Sequence, residues 1–536
     1  MPARTFDNDS SSDGQNGSMA TADLGYRHNS HSNGISNGMT SLSLDNAPSK
    51  NSTNGAANGN SYYHINGSQN GNSHLMIPMT TNNASPIEGT NGFSNRGLKS
   101  KSSRYFNRRA NGDMIIHTNG HSSGILDDYD IDAVRDSFPG TESKTIALNN
   151  AGGSLVHRGV IESVIRSMST TQLDLHGGDI KSDHDRAGRA SRYKELASFM
   201  NAEPDEIAFG PSTTSLLRTL SDSLRPLLNS NSEIIVSMLC HEGNVTPWVA
   251  LANSLGITIK WWMPAGGPGN TNAQLSVETL KPLLSPKMRL VTCGHVSNIF
   301  GTIHKIREVA DLVHTIPGAM LCVDGVAWAP HRPIDVKALD VDFYVFSWYK
   351  VFGPHLAQMY ARRGIQQRHL SSLHHYPFHA SSLDLKFHLG NNCFELEDSL
   401  IPIVRYINQV GWDKIIAFEE HISRPLVDYL LSHPEVYTLY GEQTLDSNAR
   451  VPLISFTVNG MSSKAIASEI HNTSNFRIAA GTCYSFRPVH DILRLGDEGV
   501  LRVSPAHYNT LEDVEAFVEV LDQVVRSKLR NCPTPY

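Results

Sequence analysis

The chain has 536 residues, a formal net charge of −7, 39% hydrophobic residues and 18% charged residues. No apolar run approaches the roughly 18 residues that a membrane-spanning helix needs, which excludes an integral helical membrane protein. A basic stretch from Arg96 to Arg109 is more typical of solvated charge than of a nucleic-acid or membrane contact. Neither nucleic acid nor a membrane is therefore a predicted partner.

The first 125 or so residues differ from the rest of the chain in composition. They are mainly Asn, Ser and Gly, and all six Trp and all six Cys follow residue 239. Such a segment has too few apolar side chains to offset chain entropy, so residues 1–130 are predicted to form a disordered tail. The start lacks the apolar core of a secretory signal, and the cysteines form no CxxC pair. A cytoplasmic location is expected.

From about residue 131, helical patterns alternate with short apolar runs. In chain order, the pattern predicts a helix over 185–200, a strand over 206–210, a helix over 215–227 and a strand over 233–238. A helix from Pro247 and a strand over 256–262 follow, then strands at 290–293 and 320–324 around a helix over 306–315, and a strand over 341–348. The alternation predicts an α/β fold over residues 131–400, with a mostly parallel sheet and helices on both faces.

Beyond about residue 400 the pattern changes. Helices are predicted at 400–410 and 412–432, followed by a strand over 451–458, a helix from Ser463 and a last helix from Leu511. This order predicts a small C-terminal α+β domain over residues 401–536, packed beside the large domain.

Two side chains at predicted strand ends carry the first chemical signal. Lys350 follows an apolar strand and lies between aromatic residues, where burial favours a neutral, nucleophilic amine. Asp324 ends another apolar strand, and the carboxyl ends of parallel strands are where ligands gather. An amine that forms an imine and a carboxylate that keeps a pyridine nitrogen protonated are what pyridoxal phosphate chemistry requires. Taken alone, Lys350 is more often a lysine whose stem merely lies along apolar surface.

A strand-to-helix turn at residues 211–215, Pro-Ser-Thr-Thr-Ser, offers hydroxyls and unpaired amides at a helix start. That location favours an anion such as a phosphate, although ordinary N-capping explains the same residues. Two further loops after strands place His241 and Asn298 near the same predicted edge.

These segments, in this order, resemble the class V aminotransferase family, the cysteine desulfurase-like branch of fold-type I pyridoxal phosphate enzymes. The resemblance extends over about residues 131–530. The residues that carry it are Asn-Asn-Ala-Gly-Gly at 149–153, Ser-Thr-Thr at 212–214, His241 with Asn244 and Pro247-Trp248, His295 and Asn298 with Gly301-Thr302, Asp324-Gly325 with His331, Ser347 with Lys350 and Gly353-Pro354, and Arg502 with Ser504 and Tyr508-Asn509-Thr510.

The resemblance implies a role for each matching residue. Lys350 would hold pyridoxal 5′-phosphate as a Schiff base and move the substrate proton, Asp324 would pair with the pyridine nitrogen, and His241 would stack on the ring and take part in catalysis. The other implied roles are Asn298 at the phenolic oxygen, Thr213, Thr214, Ser347 and Tyr349 at the phosphate, and Arg502 and Asn150 at the substrate.

Three positions depart from the family pattern. Glu242 stands where a second histidine often follows the stacking histidine, and Ala327 stands where Gln or His is usual. Gly390-Asn391 replaces a Gly-Thr that reaches the phosphate across a dimer interface. Because the Asn391 amide still donates hydrogen bonds, Asn391 is a predicted cofactor ligand and a homodimer is expected.

Cys483 and a histidine cluster have weaker interpretations. Cys483 lies in a segment with shifted spacing and without the histidine pair of persulfide-forming desulfurases, so an unreactive thiol is favoured over a sulfur acceptor. The histidines lack a Cys or carboxylate partner at ligand spacing, and no metal site is predicted. They are His374, His375, His379 and His388.

The sequence predicts a pyridoxal phosphate-dependent transferase or lyase that acts on an amino acid. Carbon–sulfur cleavage, transamination, epimerisation and decarboxylative bond formation stay open, and a specialised enzyme is favoured over sulfur supply. One alternative is a true cysteine desulfurase with Cys483 as sulfur acceptor. A second is a non-catalytic binding protein on the same fold, which the presence of Lys350, Asp324 and Arg502 disfavours.

Overall fold

The computed structural model describes residues 126–170, 180–373, 382–390 and 393–531. The predicted tail over residues 1–130 therefore lies almost wholly outside the described residues. Asn391 lies outside them too, as do His374, His375 and His379. Within the described residues, no helix is both long enough and apolar enough to cross a membrane.

The described residues form thirteen strands and fifteen α-helices. The strands are β1 Ile146–Ala147, β2 Ile207–Gly210, β3 Glu233–Ser237, β4 Thr258–Trp262, β5 Met288–Gly294, β6 Met320–Asp324, β7 Phe343–Ser347, β8 Ala357–Ala361, β9 Tyr437–Tyr440, β10 Ile454–Val458, β11 Phe476–Arg477, β12 Ala479–Gly481 and β13 Val500–Val503. The helices are α1 Ile131–Asp136, α2 Arg158–Thr170, α3 Ile180–Ser198, α4 Thr213–Leu224, α5 Thr246–Leu255, α6 Val277–Leu280, α7 Ile306–Val313, α8 Val336–Leu339, α9 Arg363–His369, α10 Leu383–Phe387, α11 Phe394–Asp398, α12 Ile401–Val410, α13 Trp412–Ser432, α14 Ser463–Thr473 and α15 Leu511–Asn531.

Seven strands form the central sheet, in the order β2-β8-β7-β6-β5-β3-β4. Five of them, β7, β6, β5, β3 and β4, pair in parallel, whereas β8 runs antiparallel to both of its neighbours. The register pairs Gly294 with Asp324 and Asp324 with Val345, so β5, β6 and β7 end at one edge of the sheet. The predicted mostly parallel sheet is confirmed.

The sheet is buried on both faces, which is why its strands are continuous apolar runs. Alternate residues of β6 belong to two separate cores: Leu321 and Val323 pack into one, and Met320 and Cys322 into the other. Side chains of successive strand residues point to opposite faces, so a strand covered on both sides needs apolar residues throughout.

The C-terminal part has its own sheet and core. Four antiparallel strands lie in the order β12-β13-β10-β9, and Phe456, Leu501 and Leu521 belong to a core shared with helices α13, α14 and α15. Strand β1 pairs with β11, and Asn149 forms a bridge with Ser504. The segment that contains β1 and Asn149 thus lies against the C-terminal strands. The predicted domain boundary at residue 400 stays a prediction.

Two element boundaries differ from the sequence prediction for local reasons. Helix α4 begins at Thr213 because the Ser212 hydroxyl accepts a hydrogen bond from the Ser215 amide, which caps the helix. Strand β10 begins at Ile454 rather than 451, since Pro452 has no amide hydrogen and the Val451 amide donates to the Gly301 carbonyl.

Candidate active site

Lys350 lies just beyond strand β7, in the 3₁₀ turn Trp348–Lys350. Its side chain is buried, with 8% of its surface exposed. Burial and the positive charge of Arg502 together lower the pKa of Lys350 to about 8, while Asp324 acts in the opposite direction. A substantial fraction of this amine is therefore neutral close to physiological pH.

Asp324 is the last residue of strand β6 and is also buried. Its Oδ1 accepts a hydrogen bond from the Val326 amide at 2.9 Å. Burial raises the pKa of this carboxyl, whereas the Val326 hydrogen bond and the charge of Lys350 lower it. A buried carboxylate in this position is best satisfied by a cationic hydrogen-bond donor.

One cleft brings both residues together at the carboxyl edge of the sheet. Its empty volume is about 610 Å³, part of which is open to solvent. The cleft is lined by Ser212, Thr213, Thr214, Leu239, Cys240, His241, Gly243, Gly294, Val296, Asn298, Asp324, Val326, Ala327, Ser347, Tyr349 and Lys350. Eight of the predicted site residues line it, and Arg502, Asn150 and Cys483 are not among its lining residues.

Hydroxyl groups surround one end of the cleft. The Thr213 and Ser347 hydroxyl oxygens lie 2.7 Å apart and are hydrogen-bonded. Thr214 follows in the first turn of helix α4, whose unpaired amides and dipole favour an anion. This end of the cleft has the donors that a phosphate group needs.

His241 forms another wall, and its ring is held by its own turn. Its Nδ1 accepts a hydrogen bond from the Gly243 amide at 3.0 Å. Burial, together with the charges of Lys350 and Arg502, lowers the pKa of His241 to about 4. The imidazole is therefore neutral at pH 7, and its flat ring can stack on an aromatic group. A Cβ on Gly243 would lie 2.7 Å from the Thr214 hydroxyl, so only glycine lets the two turns pack this closely.

Asn298 lines the cleft, but other residues already use its amide. Its Nδ2 donates to the Cys483 carbonyl at 3.1 Å, and its Oδ1 accepts from the Ser485 hydroxyl at 2.7 Å. The predicted contact of Asn298 with a cofactor oxygen stays a prediction. Neither partner was identified from the sequence, because each is nearly 190 residues away along the chain.

Arg502 lies in strand β13 and is 5% exposed. Its terminal nitrogens donate to the Asn298 carbonyl at 3.1 Å and to Asn149 Oδ1 at 3.2 Å. Its Nε is buried and has no hydrogen-bond partner among the described residues. The positive charge of Arg502 lowers the pKa of both Lys350 and His241. A guanidinium nitrogen without a hydrogen-bond partner is well suited to bind a carboxylate.

Asn150 is used by the protein itself. Its Nδ2 donates to the Ser504 carbonyl and to Asn509 Oδ1, and its Oδ1 accepts from the Tyr508 hydroxyl. This network fixes the segment before helix α2 to the C-terminal strands. The predicted role of Asn150 at the substrate stays a prediction. The neighbouring Asn149, to which the sequence interpretation gave no role, contacts Arg502 instead.

Tyr349 and Ala327 form part of the cleft wall. The Tyr349 ring stacks on His355, with centroids 4.9 Å apart, and burial raises its pKa. Ala327 lines the cleft directly, and the following residue, Trp328, stacks on His295 at 3.8 Å. The small side chain at 327 leaves room in the cleft where the family usually has Gln or His.

Cys483 lies close to the cleft in an unusual backbone conformation. It and Tyr484 have φ values of 49° and 58°, the left-handed region, which costs about 1–2 kcal/mol for each residue with a Cβ. The Cys483 thiol interacts electrostatically with the Lys350 amine and is partly buried. The sequence did not indicate this proximity.

Only one residue of the histidine cluster lies in the part of the chain that the structure describes. His388, the one member within the described residues, has its Nδ1 3.8 Å from an Asp384 carboxylate oxygen. Among the residues that the structure describes, no group of three or more His, Cys, Asp or Glu side chains is arranged to hold a metal ion.

Known proteins resemble about three-quarters of this chain. It is 53% identical over 395 residues to the nonribosomal peptide synthetase-like enzyme fsqF of Aspergillus fumigatus; the match covers 74% of this chain and only 26% of that protein. The chain thus spans about a quarter of that relative's length. It is 48% identical over 399 residues to the cysteine desulfurase-like protein ustD of Aspergillus flavus, covering 74% of this chain and 91% of that one.

A solved structure shows the same fold. The cysteine desulfurase of Thermococcus onnurineus superposes with a TM-score of 0.66 at 23% identity, covering 74% of this chain and 98% of that chain. The family model described as aminotransferase class-V matches residues 146–517, well over half of the sequence. This chain therefore belongs to the class V aminotransferase family.

Proposed function

We propose that this chain binds pyridoxal 5′-phosphate through Lys350 and acts as a transferase or lyase on an amino-acid substrate. The observation that carries the proposal is that Lys350 and Asp324 line one cleft with the hydroxyl-rich start of helix α4. Each feature has an ordinary structural explanation alone. Together they match an aldehyde, a pyridine nitrogen and a phosphate on one molecule.

The residues present fit this cofactor. The hydroxyls of Thr213 and Ser347 are within hydrogen-bond distance of each other and lie beside the amides of the helix start, which suits a phosphate. Gly243 lets its turn pack close to Thr214, whose hydroxyl would lie only 2.7 Å from a Cβ at this position. Burial raises the pKa of the Asp324 carboxyl, and a protonated pyridine nitrogen would be a cationic partner that stabilises its charged form.

When bound, pyridoxal phosphate supplies an aldehyde that condenses with amines and a pyridinium ring that accepts electrons from a breaking bond. The chain's own residues bind and orient the reactants. Thr213, Thr214 and Ser347 would hold the phosphate, and Asp324 would accept a hydrogen bond from the ring nitrogen. His241, which is neutral, would cover one face of the ring without adding charge.

Lys350 would have two tasks. Its neutral amine would hold the cofactor before the substrate arrives; it would then take a proton from the substrate α-carbon as the neutral amine, or return one as the ammonium. Its pKa of about 8 suits both tasks. Arg502 accounts for part of that depression and also binds the substrate carboxylate through its unsatisfied Nε, so one residue links substrate binding to the basicity of the lysine.

Absorption spectroscopy tests the proposal. Purified protein incubated with pyridoxal phosphate and then desalted should keep a visible absorbance band, and Lys350→Ala should lose it while keeping its circular dichroism spectrum. Lys305→Ala, which removes a lysine whose side chain is 75% exposed, is the matched control and should keep the band. A colourless wild-type protein would refute the proposal.

The same visible absorbance can show which class of reaction the protein catalyses. Each of the twenty amino acids is added to the loaded protein, and sulfide, pyruvate, ammonia and carbon dioxide are assayed wherever the spectrum changes. Loss of carbon dioxide, formation of ammonia or exchange of the α-proton would each identify a reaction class. If no amino acid changes the spectrum, the non-catalytic alternative replaces the enzyme.

One observation supports cysteine desulfurase activity as a second candidate: Cys483 lies close enough to Lys350 for the two side chains to interact electrostatically. A desulfurase would release alanine from cysteine and leave a persulfide on Cys483, detectable by mass spectrometry. We favour a specialised lyase or transferase, because the histidine pair of the desulfurase loop is absent and Ala327 opens the cleft.

We also propose that the chain forms a homodimer. Helix α2 exposes three apolar side chains, Ile161, Ile165 and Met168, which are 41%, 61% and 72% exposed. Residues four and three apart lie on one face of a helix, so these side chains form a stripe. An exposed apolar stripe favours association with a second copy.

A further inference from the structure

The loop over residues 482–487 lies beside His241 in an uncommon conformation. Cys483 and Tyr484, adjacent residues with side chains, both have left-handed φ values. Such backbone persists only where surrounding contacts determine it. Tyr484 is 74% exposed, and its ring centroid lies 5.9 Å from that of His241.

Asn298 anchors the middle of this loop. It donates to the Cys483 carbonyl and accepts from the Ser485 hydroxyl, and Ser485 is fully buried. The loop is thus attached through its backbone and through Ser485, whereas the Tyr484 side chain is left exposed.

Glu242 anchors the loop at two further points. Its backbone amide donates to the Tyr484 carbonyl at 2.9 Å, and its carboxylate lies 2.5 Å from an Arg487 guanidinium nitrogen. The Arg487 guanidinium in turn lies over the Trp261 ring, 4.5 Å from its centroid. Both charged side chains are about three-quarters buried, so water screens their attraction less than that of a surface pair.

The ion pair joins two positions where the sequence departs from the family pattern. Glu242 replaces a histidine beside the cleft, and the Cys483 segment has shifted spacing. Since the Glu242 carboxylate binds Arg487, four residues after Cys483, the two departures form one structural unit. Arg487 also begins a π-helical turn, Arg487–Ile492, a rare conformation that is frequent at functional sites.

We propose that Glu242 and Arg487 are positioning residues that hold loop 482–487 as a fixed wall of the cleft, with Tyr484 as the specificity-determining side chain that meets the substrate. A loop held in this way does not carry Cys483 away from its place beside the cleft to deliver sulfur to an acceptor. The assignment of Tyr484 rests on the proposed function, whereas the positioning role of the ion pair does not.

Thiol reactivity tests the positioning role without cofactor. The apoprotein is treated with iodoacetamide for a series of times, and the modified peptides of Cys483 and Cys393 are quantified by mass spectrometry. Cys393 is exposed and serves as an internal reference. We expect Cys483 to react more slowly than Cys393 in the wild type, and Glu242→Gln and Arg487→Gln each to raise its rate by about tenfold, because each removes a charged hydrogen bond.

Two controls separate positioning from general loss of stability. Arg363→Gln breaks the ion pair with Asp205, whose side chains are 50% and 33% exposed, and should leave both rates unchanged. The exchange Glu242→Arg with Arg487→Glu restores an ion pair of opposite polarity and should bring the Cys483 rate back towards the wild type. Fast modification of Cys483 in the wild type, or equal rates in all variants, would overturn the proposal.

Substrate titrations test Tyr484 in the loaded protein. Tyr484→Phe and Tyr484→Ala should keep the visible band and the Cys483 reactivity. Tyr484→Ala should change the half-saturating concentrations of aspartate, cysteine, alanine and phenylalanine by different factors, with about tenfold between the extremes. A uniform factor for all four acids would remove Tyr484 as a specificity residue, and a missing band in every variant would instead contradict the proposed function.

Discussion

The hydroxyl oxygens of Thr213 and Ser347 lie 2.7 Å apart, although the two residues are separated by 134 positions in the chain. Thr213 begins helix α4, and Ser347 ends strand β7. The parallel strands bring these two ends to one edge of the sheet, so that hydroxyls from separate elements face the same space. Lys350 follows Ser347 by only three residues. The hydroxyl pair and the amine are therefore positioned by the same short segment of the chain.

Removal of either hydroxyl should weaken cofactor binding without unfolding the protein. A hydrogen bond to a charged group contributes about 1.5–3 kcal/mol, so Thr213→Ala and Ser347→Ala should each raise the dissociation constant of pyridoxal phosphate by about tenfold or more. The constant is measured by titrating apoprotein and following absorbance. Ser221→Ala, in the same helix, removes a hydroxyl that donates to the Arg218 carbonyl and should leave the constant unchanged.

The capture of cofactor by Lys350 should depend on pH with a midpoint near 8. Only the neutral amine attacks an aldehyde, and the pKa of Lys350 is lowered to about 8 by burial and by Arg502. The rate should therefore rise by about tenfold per pH unit below the midpoint and level off above it. Stopped-flow absorbance measures this profile.

The Arg502→Gln variant tests whether Arg502 contributes to the low pKa of Lys350. Removing the positive charge relieves one of the two causes that lower the pKa of Lys350, so the midpoint should move to higher pH. A wild-type midpoint close to that of an ordinary lysine, or a downward shift in the variant, would contradict the assigned environment.

Arg502→Lys should affect substrates with a carboxylate and spare those without one. Lysine keeps the charge but not the fork of donors, and the loss of a charged hydrogen bond of about 1.5–3 kcal/mol predicts a fall in kcat/KM of about tenfold to a hundredfold. The comparison is made with an active amino acid and with its amide. If the variant reduces both equally, Arg502 does not bind the carboxylate.

The sequence predicts well those features that depend on neighbouring residues. Asp324 and Lys350 follow buried apolar runs, and the carboxyl ends of parallel strands share one edge. Their common cleft was therefore predictable from local pattern and topology. Residues 412–432 were likewise predicted as a helix, and the structure has the same bounds, with Pro425 inside.

Contacts between distant segments were not predictable in this way. The partners of Asn298 and of Glu242 lie in the loop after strand β12, and nothing in either local sequence indicates the other. Asn149 and Asn150 give a second example: both are polar and adjacent, but in the segment after β1 one contacts Arg502 and the other contacts Tyr508. Their different contacts depend on how this segment lies beside Ser504, which the sequence does not indicate.

Ile165→Glu should convert the proposed dimer to a monomer. A carboxylate in the middle of the α2 stripe would have to lose its water on association, which is unfavourable without a partner charge. Multi-angle light scattering measures the mass in solution. Leu529→Glu changes an apolar residue on helix α15 that is 50% exposed and should leave the mass unchanged. A wild-type monomer would refute the dimer.

Gly325→Ala should destabilise the protein and disturb the cleft together. A Cβ at this position would overlap the buried Tyr344 ring, and overpacking of this kind costs about 1–3 kcal/mol. The Tyr344 hydroxyl lies 2.9 Å from His295 Nδ1, and His295 stacks on Trp328, the neighbour of the cleft residue Ala327. Displacement of Tyr344 should therefore also weaken cofactor binding, because it moves the turn that follows Asp324.

Thermal unfolding and cofactor titration should detect both effects of this substitution. Gly364→Ala is the matched control, since its Cβ would meet only a flexible Arg368 nitrogen at 3.5 Å, and helix α9 tolerates alanine. The control should unfold at the wild-type temperature or slightly above it. If Gly325→Ala lowers the unfolding temperature but leaves the dissociation constant of pyridoxal phosphate unchanged, Tyr344 supports the fold alone. If both change, the network from Tyr344 through His295 to Trp328 supports the cofactor side of the cleft.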